Sequence, residues 1–483
     1  MTGLGGKANL GREKGNGMKR KIYGKLLEWK AKSRGRTAVM IDGAQRVGKS
    51  WIAEAFAKNE YASHLVLDFS KAQPRVKRIF NEYLGDLDTF FLYLQEATGT
   101  RLTPGNSLVV FDEVQKFPRA REAIKHLVAD GRYHYLETGS LISIDRNVKD
   151  IVVPSEERRM PMWPMDFEEF LWALGDEATM ELVRDAFAKR RALGAETHRA
   201  IMDRFRQYLV VGGMPQAVAE FAESRDLEAV DAVKRDILAL YRADIHKSGG
   251  GGRHRILSVF DGIPAQLSRH EKRFVLAEAR KGGRMRDFDG AFAWLQGAMT
   301  VNLCWRACEP NVGLDLHSDR AAVKCYLGDT GLLLSQAFSE SAVRAGEIHR
   351  RILLDKIEIN EGMLVENAVA QMLRAAGHEL FYFSDSGRNG SGERMEIDFL
   401  LDSASIGRRH NICPVEVKSA KQYATASLKK FREKYGKFLA ESYVLHPRDV
   451  AVQDGVVYLP LYMASLLAEG NDAGREPVAA ELG

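Results

Sequence analysis

Cysteine and long apolar runs are scarce in this chain of 483 residues. No uninterrupted apolar run approaches the roughly 20 residues that a helix needs to cross a bilayer, and we expect no signal peptide because the N-terminus lacks an apolar core. The cysteines are too few and too irregularly spaced for a disulfide framework or a Cys-x-x-Cys pair, which favours buried thiols over zinc ligands. The sequence therefore predicts a protein without membrane spans in a reducing cytoplasm. The four cysteines are Cys304, Cys308, Cys325 and Cys413.

Charge of one sign is in small excess, with 70 Lys and Arg against 65 Asp and Glu and a formal net charge of +5. The first 36 residues carry a basic run and contain few acids. Such a segment could lie along a phosphate backbone. A solvated tail that leads into an amphipathic helix is an equally good interpretation. The basic run consists of Lys19, Arg20, Lys21, Lys25, Lys30, Lys32, Arg34 and Arg36.

The segment at 43–50 has the spacing of a phosphate-binding loop, G-x-x-x-x-G-K-[ST], and lies between a strand-like apolar run and a helix-like segment. Gly43 and Gly48 allow successive backbone N–H groups to converge on one anion, and the helix N-terminus adds partial positive charge. Lys49 would reach the β- and γ-phosphates, and Ser50 would bind Mg²⁺. The predicted ATP-binding residues of this loop are Gly43, Ala44, Gln45, Arg46, Val47, Gly48, Lys49 and Ser50.

A second apolar run, at 107–111, ends in two acids. Asp112 would hold the Mg²⁺ ion and Glu113 would polarise the attacking water. Taken alone, these two acids would be interpreted as a solvated strand end. A later predicted strand ends near Thr138 and Ser140, and each of these hydroxyls is either a sensor of the γ-phosphate or an ordinary turn residue.

Two adjacent arginines, Arg158 and Arg159, follow a loop after this strand. Either could act as an arginine finger that stabilises the charge on the transferred phosphate. The finger would serve its own subunit or the nucleotide of a neighbour, and the second arrangement would require a homo-oligomer. An ordinary surface arginine is the alternative interpretation.

Strands alternating with helices in the first third of the chain predict a parallel sheet covered on both faces, with one helix expected at 80–97. The Gly-Gly-x-Pro turn at 212–215 interrupts a mostly helical stretch, and the glycines at 249–252 predict a flexible break. Basic residues at 269–286 fit a winged-helix module that contacts DNA phosphates, or a helical packing domain with a charged face. The predicted segments are a disordered basic tail at 1–17, an ATPase core at 18–165, a helical lid at 166–247, a winged-helix-like part at 253–345, an α/β part at 350–468 and a disordered tail at 469–483.

Two predicted strands near the C-terminus carry charged residues at alternate positions, which share one face of a strand. If the strands are neighbours, Asp398 on one converges with Glu416 and Lys418 on the other. Asp398, Glu416 and the carbonyl of Val417 would bind Mg²⁺ or Mn²⁺, and Lys418 would orient the water and stabilise developing charge. Glu366, on the preceding predicted helix, could complete the metal ligands. The alternative is a charged face of a half-solvated sheet.

The whole series of motifs resembles the prokaryotic AAA-type ATPases that carry a C-terminal domain of the PD-(D/E)xK nuclease type. The resemblance implies an α/β fold with an additional-strand P-loop sheet, a helical lid, a winged-helix-like middle and a restriction-endonuclease-like end. It also implies nucleotide hydrolysis and an arginine finger at Arg158 or Arg159, and it leaves the substrate open. The resemblance depends on residues 43–50, 111–118, 137–140, 164–171, 212–215, 328–332, 396–400 and 414–418.

The sequence therefore favours an ATP-binding and ATP-hydrolysing enzyme, coupled to a nuclease-like domain that acts on DNA. The alternative is an ATP-controlled DNA-binding or scaffold protein whose nuclease fold is catalytically silent. A nucleotide switch that binds a protein partner is a third and weaker reading, because no sequence feature points to it.

Overall fold

The N-terminal sheet consists of parallel strands in the order β2-β3-β4-β1-β5, with the bounds β1 (Ala38–Asp42), β2 (Ser63–Asp68), β3 (Ser107–Asp112), β4 (His134–Gly139) and β5 (Glu157–Pro161). The predicted parallel sheet is confirmed, and one additional strand, β4, separates the strand before the phosphate loop from the strand that ends in Asp112. The computed structural model describes residues 18–139, 156–248, 250–269, 273–274, 285–311, 313–338, 342–354, 361–385, 394–402 and 412–467.

Apolar side chains alternate along the strands, so the sheet has an apolar core on each face. Met40 and Phe111 belong to one core, whereas Ile41 and Val110 belong to the other. Burial on both faces is what a parallel sheet with helical crossovers requires. The helices of this region are α1 (Lys21–Ser33), α2 (Lys49–Glu60), α3 (Pro74–Glu82), α4 (Leu87–Thr98) and α5 (Pro118–Asp130).

The expected single helix at 80–97 is two helices, α3 and α4. Asp86 caps the start of α4, because its carboxylate accepts hydrogen bonds from the N–H groups of Asp88 and Thr89 at 3.2 and 3.3 Å. An aspartate in this position satisfies the free donors at a helix N-terminus. The apolar spacing predicted the helical content, and the capping residue decided where the second helix begins.

The segment predicted to be a lid is helical, and we refer to its helices as the lid: α6 (Phe167–Ala173), α7 (Thr179–Ala188), α8 (Ala195–Val211), α9 (Pro215–Ser224) and α10 (Leu227–Ser248). The Gly-Gly-x-Pro turn joins α8 to α9. Gly212 has φ of 81°, in the left-handed region that favours glycine. The break in the helical pattern is therefore a tight turn between two lid helices.

Near 249–252, where a flexible break is expected, the described residues instead form a short turn between two helices. A 3₁₀ turn at Gly250–Gly252 leads directly into α11 (Arg253–Leu267). Arg242 of α10 pairs with Asp261 of α11 at 2.9 Å, so the two helices pack against each other. The next described helix is α12 (Met285–Gly297).

The C-terminal sheet is mixed and has the order β12-β13-β11-β10-β9-β8-β6-β7. Its strands are β6 (Val301–Ala307), β7 (Ser318–Leu327), β8 (Leu380–Asp385), β9 (Met395–Asp402), β10 (Ile412–Val417), β11 (Ser442–His446), β12 (Ala451–Gln453) and β13 (Val456–Pro460). The helices here are α13 (Thr330–Ala337), α14 (Ala342–Leu353), α15 (Glu361–Ala375) and α16 (Ala426–Tyr435).

Hydrogen bonds continue across the predicted boundary between the winged-helix-like and nuclease-like parts. The hairpin β6–β7 comes from the first part, and β6 pairs in parallel with β8 of the second. One apolar core also extends from the lid, at Phe167, to Leu467 near the end of the described chain. The boundaries between the predicted segments stay predictions, but the winged-helix-like and nuclease-like parts contribute strands to the same sheet. Among the described helices, none combines the length and apolarity that a bilayer crossing requires.

Candidate nucleotide site and C-terminal carboxylate cluster

The loop between β1 and α2 has the backbone that a phosphate site needs. Gly48 has φ of 99°, where an L-residue with a side chain would be strained. A Cβ on Gly43 would lie 2.4 Å from the carbonyl oxygen of Met162, so only glycine fits this close approach. The N-terminus of α2 then follows at Lys49, where N–H groups without intrahelical partners are available to an anion.

The ammonium of Lys49 lies inside the loop. Its Nζ donates to the carbonyl oxygens of Gly43 and Ala44, both at 2.9 Å, and the residue is only 7% exposed. Burial lowers the pKa of Lys49, and the nearby carboxylates of Glu113 and Asp112 oppose that effect. The cation is thus held at the loop by dipoles and carboxylates.

The order of the strands places the acids at the end of β3 beside the phosphate loop. Ser50 donates its hydroxyl hydrogen to Oδ1 of Asp112 at 2.7 Å, and the hydroxyl of Thr138, at the end of β4, donates to the same oxygen. Three predicted residues from three elements therefore meet at one point. Hydroxyl and carboxylate oxygens are the ligands that Mg²⁺ takes beside substrate phosphates, so these residues fit that ion.

Glu113 occupies a left-handed backbone conformation, with φ of 55°. Its N–H donates to Oγ1 of Thr138 at 3.2 Å, and its Oε2 accepts from Nε2 of Gln115 at 2.7 Å. Gln115 was missed by sequence reasoning, although its position two residues after the acid in a 3₁₀ turn brings the two side chains together. This amide fixes the direction of the carboxylate.

The lid contacts the phosphate loop directly. Tyr241 of α10 donates its hydroxyl hydrogen to the carbonyl oxygen of Gln45 at 3.1 Å. Pro215, the first residue of α9, lies 3.8 Å from the position that a Cβ on Gly48 would take. Neither contact was predicted, because the residues are distant in sequence from the loop.

Most of the described basic run near the N-terminus is engaged within the protein. Arg20 donates to the carbonyl oxygen of Val47 at 3.0 Å and pairs with Glu169 at 3.2 Å, and Lys21 pairs with Asp166 at 2.6 Å. Ile22, Leu26 and Trp29 are buried on the same helix. These contacts favour the amphipathic helix over a strip that lies along a phosphate backbone.

The arginine pair lies on β5, at the edge of the sheet beside β1. Arg158 is opposite Val39 and Arg159 is opposite Met40, and both are exposed. Burial raises the pKa of Asp42, at the end of β1, and the charges of Arg159 and Lys49 oppose that rise. Arg159 therefore acts electrostatically on the strand that leads into the loop. Ser140 lies outside the described residues.

The predicted C-terminal residues also converge. Strands β9 and β10 are antiparallel neighbours, and Oδ2 of Asp398 accepts from the N–H of Val417 at 2.8 Å. Nζ of Lys418 lies 3.0 Å from Oε2 of Glu416. A cavity of about 240 Å³ is lined by Glu366, Val417, Lys418 and Tyr423, among others. Burial, with the nearby charge of Asp398, raises the pKa of Glu416 to about 7, and Lys418 opposes the rise.

An unpredicted lysine lies among these acids. Nζ of Lys324, on β7, is 3.1 Å from Glu396, 3.4 Å from Glu366 and 3.7 Å from Asp398. Within the described part of the chain, no group of three or more His, Cys, Asp or Glu side chains is arranged to hold a metal ion. The signal that could have found Lys324 is a charged residue inside an otherwise apolar strand, which needs a buried partner.

Three regions of the chain match family models. Residues 35–171 match the AAA domain, residues 202–341 match a domain of unknown function (DUF8612), and residues 361–463 match a second domain of unknown function (DUF4143). The comparison with curated proteins finds no significant match.

Two solved structures have a distant likeness to this chain. The Aeropyrum pernix ORC1 protein, solved in complex with DNA, has 12% identity and a TM-score of 0.27, covering 67% of this chain and 92% of that one. Cdc6p from Pyrobaculum aerophilum has 11% identity and a TM-score of 0.24, covering 73% of this chain and 98% of that one. At these TM-scores, neither likeness carries an argument about fold or function.

The match at 35–171 contains the phosphate loop, Asp112, Glu113, Thr138 and the arginine pair. No comparison identifies the C-terminal region as a nuclease. The AAA match and the five-stranded parallel sheet together support an AAA-type P-loop ATPase in the N-terminal part of the chain.

Proposed function

We propose that this protein hydrolyses ATP at the junction of β1, α2 and β3 and uses the reaction to act on DNA. The observation that carries the ATPase proposal is the hydrogen bond between Ser50 and Asp112, with the ammonium of Lys49 held in the adjacent loop. A hydroxyl, a carboxylate and a buried cation around an anion-binding turn have one common use, which is to hold a nucleotide polyphosphate with its metal ion.

Each residue has a role that follows from its position. Lys49 is already buried, so exchanging two carbonyl acceptors for phosphate oxygens requires little further desolvation. Ser50 and Asp112 would hold Mg²⁺, which when bound would neutralise phosphate charge. Glu113 would accept a hydrogen bond from the attacking water and orient it. Thr138, whose hydroxyl already bonds Asp112, would respond to the γ-phosphate beside that carboxylate.

We further propose that an arginine of β5 supplies positive charge during hydrolysis. Arg159 is favoured, because its charge already reaches Asp42 beside the loop. Its exposure at the sheet edge is also consistent with action on the nucleotide of a second copy of this chain. In that arrangement the active form is a homo-oligomer.

DNA is proposed as the partner from the basic stretch at 269–286 and from Lys418, which lines the C-terminal cavity. Cationic side chains neutralise phosphates, so such binding weakens steeply with salt. The test is a filter-binding titration against linear and branched DNA at several salt concentrations, with and without ATP. Affinity that is indifferent to both salt and nucleotide would remove DNA from the proposal.

The ATPase proposal is tested by phosphate release from the purified full-length protein. Lys49→Ala should lower turnover roughly 100-fold or more, since one preorganised donor to transition-state charge is worth about that much. Glu113→Gln should retain bound ATP with little hydrolysis. Lys58→Ala is the matched control, because this exposed lysine of the same helix pairs only locally with Glu54. A Lys49→Ala protein with the parent's turnover would contradict the proposal.

A second candidate function is metal-dependent DNA cleavage in the C-terminal region. It is favoured by the cavity that Glu366 and Lys418 line beside Glu416 and Asp398. DNA nicking with Mg²⁺ or Mn²⁺ that is lost in Asp398→Ala, while ATP turnover persists, would support it. The absence of cleavage of any DNA form with either metal would remove this candidate and leave an ATP-controlled binding protein.

A further inference from the structure

Lys324 is a charged side chain placed inside the C-terminal sheet region. It lies on β7, and its side chain is only 1% exposed. An ammonium at that depth is stable only with charged partners, because burial removes its hydration. Three carboxylates supply them, and Glu396 is the nearest at 3.1 Å.

The surrounding groups hold this ammonium from several sides. Tyr326 follows two positions later on the same face of β7 and donates its hydroxyl hydrogen to Oε1 of Glu366. The centroid of the Tyr382 ring lies 4.9 Å from Nζ of Lys324, within the range of a cation–π contact. Oδ1 of Asp398 faces the ammonium of Lys324, and Oδ2 accepts a hydrogen bond from the N–H of Val417. The acids are therefore already engaged by donors of this chain.

The position of Lys324 conflicts with the predicted metal site. Glu366 and Asp398 are two of the three predicted carboxylate ligands, and the ammonium contacts both. A divalent cation would need oxygen distances of about 2.0–2.6 Å from the same carboxylates. Two cations cannot share one such space without strong repulsion at short distance in a poorly hydrated region.

We infer that the ammonium of Lys324 occupies the place of a divalent cation in the C-terminal cluster, so that the acids of β9 and α15 form a closed ionic network rather than a metal centre. The inference argues against the second candidate function, which needs a metal ion at this place, and leaves ATP hydrolysis untouched. It assigns Lys324 the role of an internal counter-ion, with Lys418 as the partner of the remaining acid, Glu416.

Manganese binding to the full-length, nucleotide-free protein tests this inference, with free Mn²⁺ measured by electron paramagnetic resonance. All proteins carry Asp112→Asn, which removes the carboxylate of the phosphate-loop site. The parent should show no Mn²⁺ site that depends on Asp398. Lys324→Met keeps the length of the side chain without its charge and should gain one site, which Asp398→Asn should abolish. Lys429→Met, at an exposed position of α16, is the control and should gain none.

Two results would overturn the inference. One is a Mn²⁺ site in the parent that is lost on Asp398→Asn or Glu366→Gln. The other is a folded Lys324→Met protein that gains no site, since the position would then not suit a cation. If Lys324→Met does not fold, the measurement on the parent still tests the inference, because a Mn²⁺ site that depends on Asp398 or Glu366 would contradict it. A second readout is thermal unfolding, where Mn²⁺ should raise the Tm of Lys324→Met and leave that of the parent unchanged. Neither readout uses ATP or DNA, so failure here is distinct from failure of the ATPase proposal.

Discussion

The carboxylate of Asp329 accepts a hydrogen bond from the backbone N–H of Gly213 at 2.5 Å, which joins the end of the C-terminal hairpin to the turn of the lid. The same side chain caps α13 through the N–H of Leu332 at 2.9 Å and accepts from Nε2 of Gln371 on α15 at 3.3 Å. The turn that Asp329 holds continues into Pro215 beside the phosphate loop. Groups in contact therefore connect the phosphate loop to α15, the helix that carries Glu366.

Asp329→Asn should weaken this junction. The amide keeps one acceptor oxygen but offers a donor where the parent has only acceptors, and Gly213 and Leu332 both need an acceptor. We expect a loss of about 1–3 kcal/mol in the free energy of unfolding, measured by urea denaturation. Asp315→Asn, at an exposed loop position, is the matched control. Equal stability of the two variants would contradict the role given to Asp329.

Gly213→Ala should be severely disruptive for a steric reason. A Cβ at this position would lie 2.0 Å from the carbonyl oxygen of Met165 and 2.8 Å from its nitrogen. The backbone of Met165 cannot yield cheaply, so we expect a cost of about 3 kcal/mol or more, together with loss of ATP turnover as the lid shifts. At Gly85 a Cβ meets nothing within 4 Å, and Gly85→Ala should leave both quantities near the parent's. Thermal unfolding and phosphate release measure the two effects.

Gln115→Ala should slow hydrolysis without weakening nucleotide binding. Gln115 contacts Glu113 and thereby acts as a positioning residue, so its loss should lower kcat roughly 10- to 100-fold while KM stays near the parent's. In the Glu113→Gln background the same change should add little, because the group that Gln115 positions is already removed. Additive losses in the double variant would show that Gln115 acts elsewhere.

Arg159→Ala should reduce kcat more than Arg158→Ala. Arg159 acts on Asp42, whereas its neighbour projects from the opposite face of the edge strand. An arginine finger is worth about 10³-fold or more in kcat. Mixing inactive Arg159→Ala with inactive Lys49→Ala should restore part of the activity if the finger serves a second copy. Full activity of Arg159→Ala would exclude the assignment.

His446 should make the protein less stable in mild acid. Its Nε2 donates to the carbonyl oxygen of Asp449 at 3.2 Å, so in the neutral ring Nδ1 accepts from the hydroxyl of Tyr423 at 2.6 Å. Burial, with the charge of Arg448, lowers the pKa of His446 to about 4 from an ordinary 6.5.

The sign of the pH effect follows from these two pKa values. Between pH 6.5 and about 4 the unfolded chain binds a proton at His446 that the folded chain does not. The contribution of His446 to the free energy of unfolding is therefore fully present above pH 6.5 and is lost as the pH falls. The loss approaches about 3 kcal/mol at the lower end. His446→Gln removes this titration, and the difference in unfolding free energy between about pH 5 and about pH 7.5 should be smaller in the variant than in the parent. An unchanged difference would contradict the assignment.

The phosphate loop was predictable because its requirements are local. Glycines at 43 and 48, a lysine and a hydroxyl must follow one another in a single turn, and an adjacent apolar run predicts the strand before it. The acids after β3 were recognisable for the same reason. The direct bond from Ser50 to Asp112 needed one more element, the order of strands in a parallel sheet, which the alternation of strands and helices already implied.

The pairing of β9 with β10 was also within reach of the sequence, since both strands carry charges at alternate positions. Lys324 was not, because it lies in a hairpin that the apolar and basic pattern assigned to another part of the chain. Only the parallel pairing of β6 with β8 brings that hairpin into the same sheet. The C-terminal carboxylates, taken alone, predicted a metal ion. In the fold, the ammonium of Lys324 comes from a distant part of the chain and supplies positive charge beside them.

The amino-acid sequence by itself determined the anion-binding turn, the acids that face it and the helical character of the lid, because each depends on residues that are near one another along the chain. The tertiary structure alone decided that Asp329 secures the lid turn and that Lys324 enters the C-terminal acids. Both contacts join segments far apart in sequence, and burial enforces them, since a charged group removed from water must find its partner wherever the fold places one.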